Sequence, residues 1–333
     1  MTVPVPDTNK LKIFTWHIHG SYLYYLSLGD YIIYIPTDPA RSEGYGGRGS
    51  TFPFGGNVIE IPAEEVRNVR FDCVLYQTPK NFTTDRYEIL SEAQLDLPGV
   101  YLEHNPPTDH PVDTRHPMND PDVILVHVTH FNKLMWKSNA HLNVVIEHGV
   151  PDPGIAWSGH LERGIVVINN MHQRGRRLGG DLFDAVRKQV PLDLAGMGTS
   201  TYGGLGEVPH TQLPAFISQY RFFFNPIRYT SFGLAVCEAM LTGMPVVALA
   251  TTEYATVFQN GVNAFAHTNI DYLVECMHRL LQDKSLASRL GQAARQTALE
   301  MFDIGRFTSE WKNIFQVAVN NRKTHEKENS FYQ

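Results

Sequence analysis

Apolar positions along this chain come in short unbroken runs. Leu11 to Thr15, Tyr31 to Ile35, Phe71 to Tyr76, Val100 to Glu103, Val123 to Val128 and Val144 to Ile146 read as strands. Several of them lack the alternating polar positions of a sheet with one wet face, which predicts a parallel sheet covered on both sides. Residues 21 to 28, 81 to 93 and 131 to 137 fall between the runs with helical spacing, so the first half reads as an open α/β domain. "GVPDPGIAWSGH" (149 to 160), with two prolines and three glycines, is the best linker. Beyond it a second series follows, with strands at Gly164 to Ile168, Leu192 to Ala195, Phe222 to Phe224 and Val246 to Leu249. The expected architecture is two α/β domains in tandem, 1 to 155 and 156 to 305, with a cleft between them.

The last third is more helical. In Ile270 to Leu281 the apolar residues Ile270, Leu273, Val274, Met277, Leu280 and Leu281 recur at helical spacing, and Leu286 to Met301 and Phe307 to Val319 continue the pattern. Residues 306 to 333 are expected to form a helix that packs back on the first domain, then a frayed polar tail, "NNRKTHEKENSFYQ". The Gly-rich loop "ARSEGYGGRGSTFPFGG" (40 to 56) does not fit a phosphate-loop pattern and is expected to be a mobile loop near the cleft.

Composition narrows the partners. With 333 residues, 43% of them apolar, the chain can bury the cores of two domains. A formal net charge of -6 provides no basic field for nucleic acid. Cys73, Cys237 and Cys276 are few and widely spaced, which fits reduced thiols in a reducing compartment. No apolar run approaches the roughly 20 residues of a membrane span, and no secretory leader pattern opens the sequence. The chain is read as cytoplasmic.

The stretch "RYTSFGLAVCEAMLTGMPVV" (228 to 247) carries the most chemistry. Ser231, Phe232, Gly233 and Leu234 stand where a strand gives way to a helix, and a helix N-terminus directs free N–H groups and the positive end of its dipole at an anion. Glu238, one and a half to two turns on, could accept both hydroxyls of a ribose whose phosphates rest on that helix end. The plainer alternative is an N-capped amphipathic helix with a solvated glutamate.

Together with "FQNGVNAFA" further on, this stretch resembles the donor-site signature of retaining glycosyltransferases of family four, which have the GT-B fold of two Rossmann-like α/β domains. In that family a Glu, seven residues and a second Glu precede a Gly-x-Pro-Val strand. The second Glu corresponds to Glu238 and the first to Thr230, where this chain departs from the pattern. The resemblance is specific from about 160 to 305. It is weaker before, although "VVIEHGVPDP" resembles the domain junction, with His148 in place of Asn.

Other residue roles follow from the resemblance alone. "INNMHQRGRRLGGDLF" (168 to 183) occupies the place of the loop whose Arg and Lys bind the donor pyrophosphate, which singles out Arg174 and Arg177 from the cluster with Arg176. "GLGEVPHTQLPAF" (204 to 216) resembles the base-holding segment, with Val208 and Pro209 in contact and Leu213 packed behind. Gly20 and Ser21, in "TWHIHGSYLYYL", match a Gly-containing loop beside the donor phosphates, and His104 matches an active-site His. The resemblance also implies catalysis without a metal, basic side chains and a helix end neutralising the leaving group.

His17 with His19, and His127 with His130, lack a third ligand at recognisable spacing and are read as structural imidazoles. No G-x-G-x-x-G follows the first strand, which disfavours a nicotinamide enzyme. The expected function is retaining transfer of a hexose or similar sugar from a nucleotide diphosphate-sugar donor to a hydroxyl acceptor, namely a glycan, a lipid-linked sugar or a small molecule. That scheme needs no cofactor, binds no nucleic acid and is compatible with peripheral membrane contact. The alternative is a nucleotide-sugar-binding protein without transferase activity, motivated by Thr230, and a hydrolase or epimerase on the same fold is a third option.

Overall fold

The computed structural model describes residues 10–331, with side chains described through 322. The chain divides into two compact units, Met1–Gly149 with Ile304–Gln333, and Val150–Asp303. In the first unit the elements are β1 (Lys12–Thr15), α1 (Gly20–Leu26), β2 (Ile32–Thr37), β3 (Val58–Pro62), β4 (Cys73–Tyr76), α2 (Arg86–Ile89), α3 (Glu92–Leu95), β5 (Gly99–Glu103), β6 (Ile124–His127), α4 (His130–Met135) and β7 (Asn143–Val145). Their sheet is parallel with order β3-β2-β1-β4-β5-β6-β7. The winding reverses between β1 and β4. In an open sheet of this kind the crevice at the carboxyl ends of those two strands is the natural ligand position.

The second unit holds β8 (Leu161–Val167), α5 (Gly180–Val186), β9 (Leu192–Ala195), α6 (Leu213–Ile217), β10 (Tyr220–Asn225), α7 (Leu234–Leu241), β11 (Val246–Leu249), α8 (Tyr254–Val257), β12 (Phe265–His267), α9 (Ile270–Gln282) and α10 (Lys284–Met301). Here the order is β12-β11-β10-β8-β9, again parallel, and the reversal falls between β8 and β10. Val166, Leu194, Phe222, Phe224 and Val247 of the strands pack with Phe183, Leu273, Met277 and Leu290 of the helices in one core. At the back of this unit α10 meets the turn after α7 backbone to backbone. A Cβ on Gly291 would lie 1.9 Å from the Gly243 carbonyl oxygen, and Gly243 itself has φ +80°. The approach requires a bare glycine at 291, and the left-handed backbone at 243 favours a second.

The last helix, α11 (Ile304–Phe331), belongs to the first unit. Trp311 donates its indole N–H to the Tyr22 hydroxyl (3.0 Å), Phe315 meets the Tyr31 ring, and Lys312 pairs with Asp30. The frayed tail expected from residue 320 is instead helical through Phe331; residues 332 and 333 lie outside the described residues. Its Lys, Glu, Arg and Asn content is polar, but after Gly305 no Gly or Pro interrupts it, and polarity alone does not end a helix.

Other expectations also shift. β3 and β12 were not anticipated, being short runs between turn-rich segments. The helix expected over 81–93 breaks at Leu90, because Ser91 opens a new helix with a capping box: its hydroxyl accepts from Gln94 N–H while the Gln94 side chain accepts from Ser91 N–H. The 40–56 loop is pinned rather than loose. It bridges to His17 and Thr37, buries Tyr45 and Phe54, and lays Phe52 against Tyr24.

Candidate functional site

In the second unit the chemistry gathers at the carboxyl ends of β8 and β10, where the sheet order reverses. α7 begins at Leu234, the last residue of the Ser231–Leu234 stretch in which the sequence places the change from strand to helix. Gly233 is its N-cap residue in an extended conformation, and no side chain caps it, Thr230 and Ser231 included. This late start has a packing cause. Phe232, 2% exposed, is sunk among Tyr254, Phe258 and Phe302, and the Tyr254 hydroxyl accepts from Gly233 N–H at 2.9 Å. Phe232 thus anchors the loop, so only its backbone could meet a ligand. Thr230, Ser231, Gly233 and Leu234 remain half-buried. Intrahelical bonding starts at Val236 N–H, which leaves the amides of Leu234 and Ala235 at the open end of the helix.

The basic loop after β8 lies against this segment. Arg228 donates its backbone N–H to the Arg177 carbonyl at 2.9 Å, and the Gly179 turn (φ +80°) fits under the Pro226 carbonyl. Of the four guanidiniums there, two share one acid. Asp181 takes Arg176 (2.8 Å) and Arg228 (2.6 Å). Among the described residues, Arg174 and Arg177 form no side-chain hydrogen bond or ion pair. Partial withdrawal from water, and then the like charge of Arg177, hold the Arg174 guanidinium below its ordinary value. Two cations left side by side without a counter-charge are what an anionic ligand would relieve.

Glu238 is not on a solvated face. α7 is buried almost all round, and the Glu238 side chain is 6% exposed, with His210 Nε2 at 3.3 Å from Oε1. His210 comes from the segment expected to hold a nucleotide base. Pro209, extended, starts a 3-10 turn over His210–Gln212 that runs straight into α6, and Leu213 is buried behind it. Val208 is half-buried and Pro209 exposed.

Gly20, Ser21 and His104 belong to the first unit. Gly20 opens α1 directly after β1, and a Cβ there would lie 2.3 Å from the Phe52 ring, so that ring accounts for the glycine. Ser21 is half-buried. His104 follows β5 and is 8% exposed. Its ring lies 3.8 Å from that of His19 and 4.8 Å from that of Tyr22, and its Nε2 lies 3.4 Å from Gln77 Oε1. Gln77 in turn donates to Thr15 Oγ1 and the Trp16 carbonyl, tying His104 to the β1–β4 reversal. Burial, then His19 and His148, push the His104 pKa well below the usual histidine value, so the imidazole is neutral.

Residues 203–297 match the family model of glycosyl transferases group 1. The match spans His210, Thr230 to Glu238 and the Gly243 turn, while Arg174 and Arg177 precede it. No curated protein matches the chain. Among solved structures, HepE of Anabaena in complex with UDP-glucose is 14% identical with a TM-score of 0.70, over 92% of this chain and 100% of that one. The sucrose-phosphate synthase of Thermosynechococcus elongatus is 14% identical with a TM-score of 0.69, over 92% and 98%. Staphylococcus aureus TarM, in complex with fondaparinux, α-GlcNAc-glycerol and UDP, is 14% identical with a TM-score of 0.57 over 73% of this chain, which spans 55% of TarM. These likenesses establish the fold as GT-B, with two Rossmann-like α/β domains.

The histidines considered as metal ligands lie in different surroundings. His17 hydrogen-bonds the Gly47 carbonyl, and His127 is fully buried with its pKa lowered to about 3 by burial and then by His116. His130 is exposed. Among the described residues no three His, Cys, Asp or Glu side chains converge as a metal would require, and no helix is long and apolar enough to cross a membrane. The three cysteines are buried and unbridged. His210 is the site residue that sequence reasoning missed. Its one signal was its place beside Pro209 in the base-holding segment.

Proposed function

We propose that this chain is a retaining, metal-independent glycosyltransferase that moves a sugar from a nucleoside diphosphate-sugar donor to a hydroxyl acceptor. The observation that carries the reading is the pair of guanidiniums, Arg174 and Arg177, without a side-chain partner among the described residues, on a loop that the Arg177 carbonyl ties by a backbone hydrogen bond to the segment leading into α7. A diphosphate placed there would meet two cations and the helix N-terminus. The buried Glu238 would then accept ribose hydroxyls, and the segment from Val208 would line the base. The family match and the UDP and UDP-glucose bound to similar folds support the donor class.

In the proposed reaction the bond between the anomeric carbon and the diphosphate oxygen breaks, its electron pair staying on the diphosphate. The acceptor hydroxyl oxygen bonds the anomeric carbon on the same face, and its proton passes to the departing phosphate oxygen. Arg174 and Arg177 would bind most tightly as charge grows on the leaving group, so they lower the barrier. His104, neutral, could accept or donate a hydrogen bond to a sugar hydroxyl, with Gly20 and Ser21 shaping the turn beside it. Unbridged cysteines suit a cytoplasmic location.

The test is a thermal-shift screen of UDP, GDP, ADP and their sugars, followed by transfer assays with radiolabelled donor on a panel of hydroxyl acceptors. Stabilisation by one nucleotide class with transfer at retained anomeric configuration is the expected result. Binding without transfer or hydrolysis would instead indicate a nucleotide-sugar-binding protein, and absence of any binding would overturn the reading.

A further inference from the structure

We infer that His210 is a positioning residue that sets the ribose-hydroxyl selectivity of this site by holding the Glu238 carboxylate. The inference rests on the donor-site reading above. Glu238 lies on a helix buried nearly all round, and a carboxylate in such surroundings is useful to a ligand only if its oxygens point at fixed places. A glutamate has three rotatable side-chain bonds, and fixing them costs entropy that must otherwise be lost on binding. His210 removes that freedom in advance. Its Nε2 reaches Oε1 at 3.3 Å, and with Glu238 as the carboxylate, which only accepts, Nε2 is the donor.

The backbone that carries the imidazole is held in place. Pro209 locks the entry to the turn that carries His210, the turn continues into α6, and Leu213 at the head of α6 is buried. The loop before it is tied down too: Gly196 N–H donates to the Gly206 carbonyl at 2.8 Å, and Gly206 N–H donates to Thr199 Oγ1 at 3.2 Å. So the segment expected to line the base and the acid expected to bind the ribose are one hydrogen-bonded unit, although 28 residues separate them in sequence. His210 need not touch the nucleotide to act. Its effect would appear wherever ribose hydroxyls are read, and not where phosphate alone is read.

The experiment measures affinity for UDP, GDP and ADP, for the 2′-deoxy form of whichever binds, and for inorganic pyrophosphate, by calorimetry on the full chain. Wild type should prefer the ribonucleotide over its 2′-deoxy form about tenfold, the scale of one hydrogen bond to a charged group. In His210→Ala that preference should fall to about two- to threefold, with pyrophosphate affinity unchanged. His210→Gln, whose amide can donate from a similar place, should restore most of it. In a Glu238→Ala background, His210→Ala should cause no further loss. Undiminished ribose preference in His210→Ala, or equal losses for ribonucleotide, deoxynucleotide and pyrophosphate, overturns the inference while leaving the donor-site reading standing. Should wild type bind no nucleoside diphosphate, both fall together.

Discussion

Of the three arginines in the loop after β8, the structure separates one from two. Arg176 is committed to Asp181 at 2.8 Å, with its side chain 77% exposed, whereas Arg174 and Arg177 have no acidic partner among the described residues. Replacing each in turn by alanine should therefore divide them by consequence. An exposed ion pair such as Arg176–Asp181 contributes about 0–1 kcal/mol, so Arg176→Ala should barely change either stability or nucleotide affinity. Arg174→Ala and Arg177→Ala remove one of two mutually repelling cations, so the ligand-free protein should be as stable as wild type or slightly more so. With nucleotide the order reverses. A hydrogen bond to a charged group contributes about 1.5–3 kcal/mol, or roughly 10- to 150-fold in affinity. At large ligand excess each tenfold loss of affinity removes about 1.4 kcal/mol of ligand-linked stability. For a unit of this size that is about 3–6 °C of melting temperature. Melting curves with and without saturating nucleotide, at low salt, read both signs at once. Turnover should fall further than affinity, because the leaving diphosphate gains charge toward the transition state. If Arg176→Ala loses the ligand-induced shift while Arg174→Ala and Arg177→Ala keep it, the assignment of the two unpaired guanidiniums to the diphosphate is wrong.

Glu238→Ala should weaken nucleotide binding by about 1.5–3 kcal/mol, and an unchanged calorimetric Kd would remove it from the site. Phe232→Ala should cost about 3–5 kcal/mol, because a 2%-exposed ring leaves its cluster, as denaturant unfolding would report. His127 has a folded-state pKa of about 3 against an ordinary 6.5, so the unfolded chain binds the extra proton. Its contribution to stability is thus full above about pH 6.5 and drains as pH falls toward 3, with a slope of up to about 1.4 kcal/mol per pH unit. His127→Asn should flatten that part of the acid-unfolding curve, and an unaltered curve would contradict the burial argument. Thr230→Glu restores the acid of the resemblance. Slower transfer from the native donor, with a gain for a common hexose donor, would mean that Thr230 sets donor choice, whereas faster native transfer would mean that it does not.

The two sheets were readable because both faces of their strands are buried, so the apolar runs were continuous, short and rich in β-branched and aromatic residues. β3 was not readable for the opposite reason. At the sheet edge its "VIEIP" carries Glu60 and ends in a proline, and an edge strand tolerates both. Arg174, Arg177 and Glu238 were suggested by resemblance, and the structure adds which of them are paired. The sequence left a solvated Glu238 open as the plainer alternative, because one acid in an apolar helix looks like an outer face when its partner is unknown. That partner, His210, is distant in sequence, and no local pattern announces a contact made through tertiary packing. α7 starts only at the last residue of the Ser231–Leu234 stretch because the aromatic pocket around Phe232 draws the chain away from helical geometry before Gly233.

The bare contact between Gly291 and the Gly243 carbonyl has a consequence for how this protein tolerates change. Those two residues act as a gauge block: the thickness of a single backbone sets how close α10 stands to the end of the helix that carries Glu238. One methyl group at 291, at the far end of α7 from its open amides, would have to push α10 outward or tip α7. Either movement displaces the carboxylate from His210 while every residue of the site keeps its identity. Random mutagenesis screened for lost nucleotide binding should therefore return substitutions at 291 alongside those at 238, and suppressors of them should map to the α10 face rather than to the site.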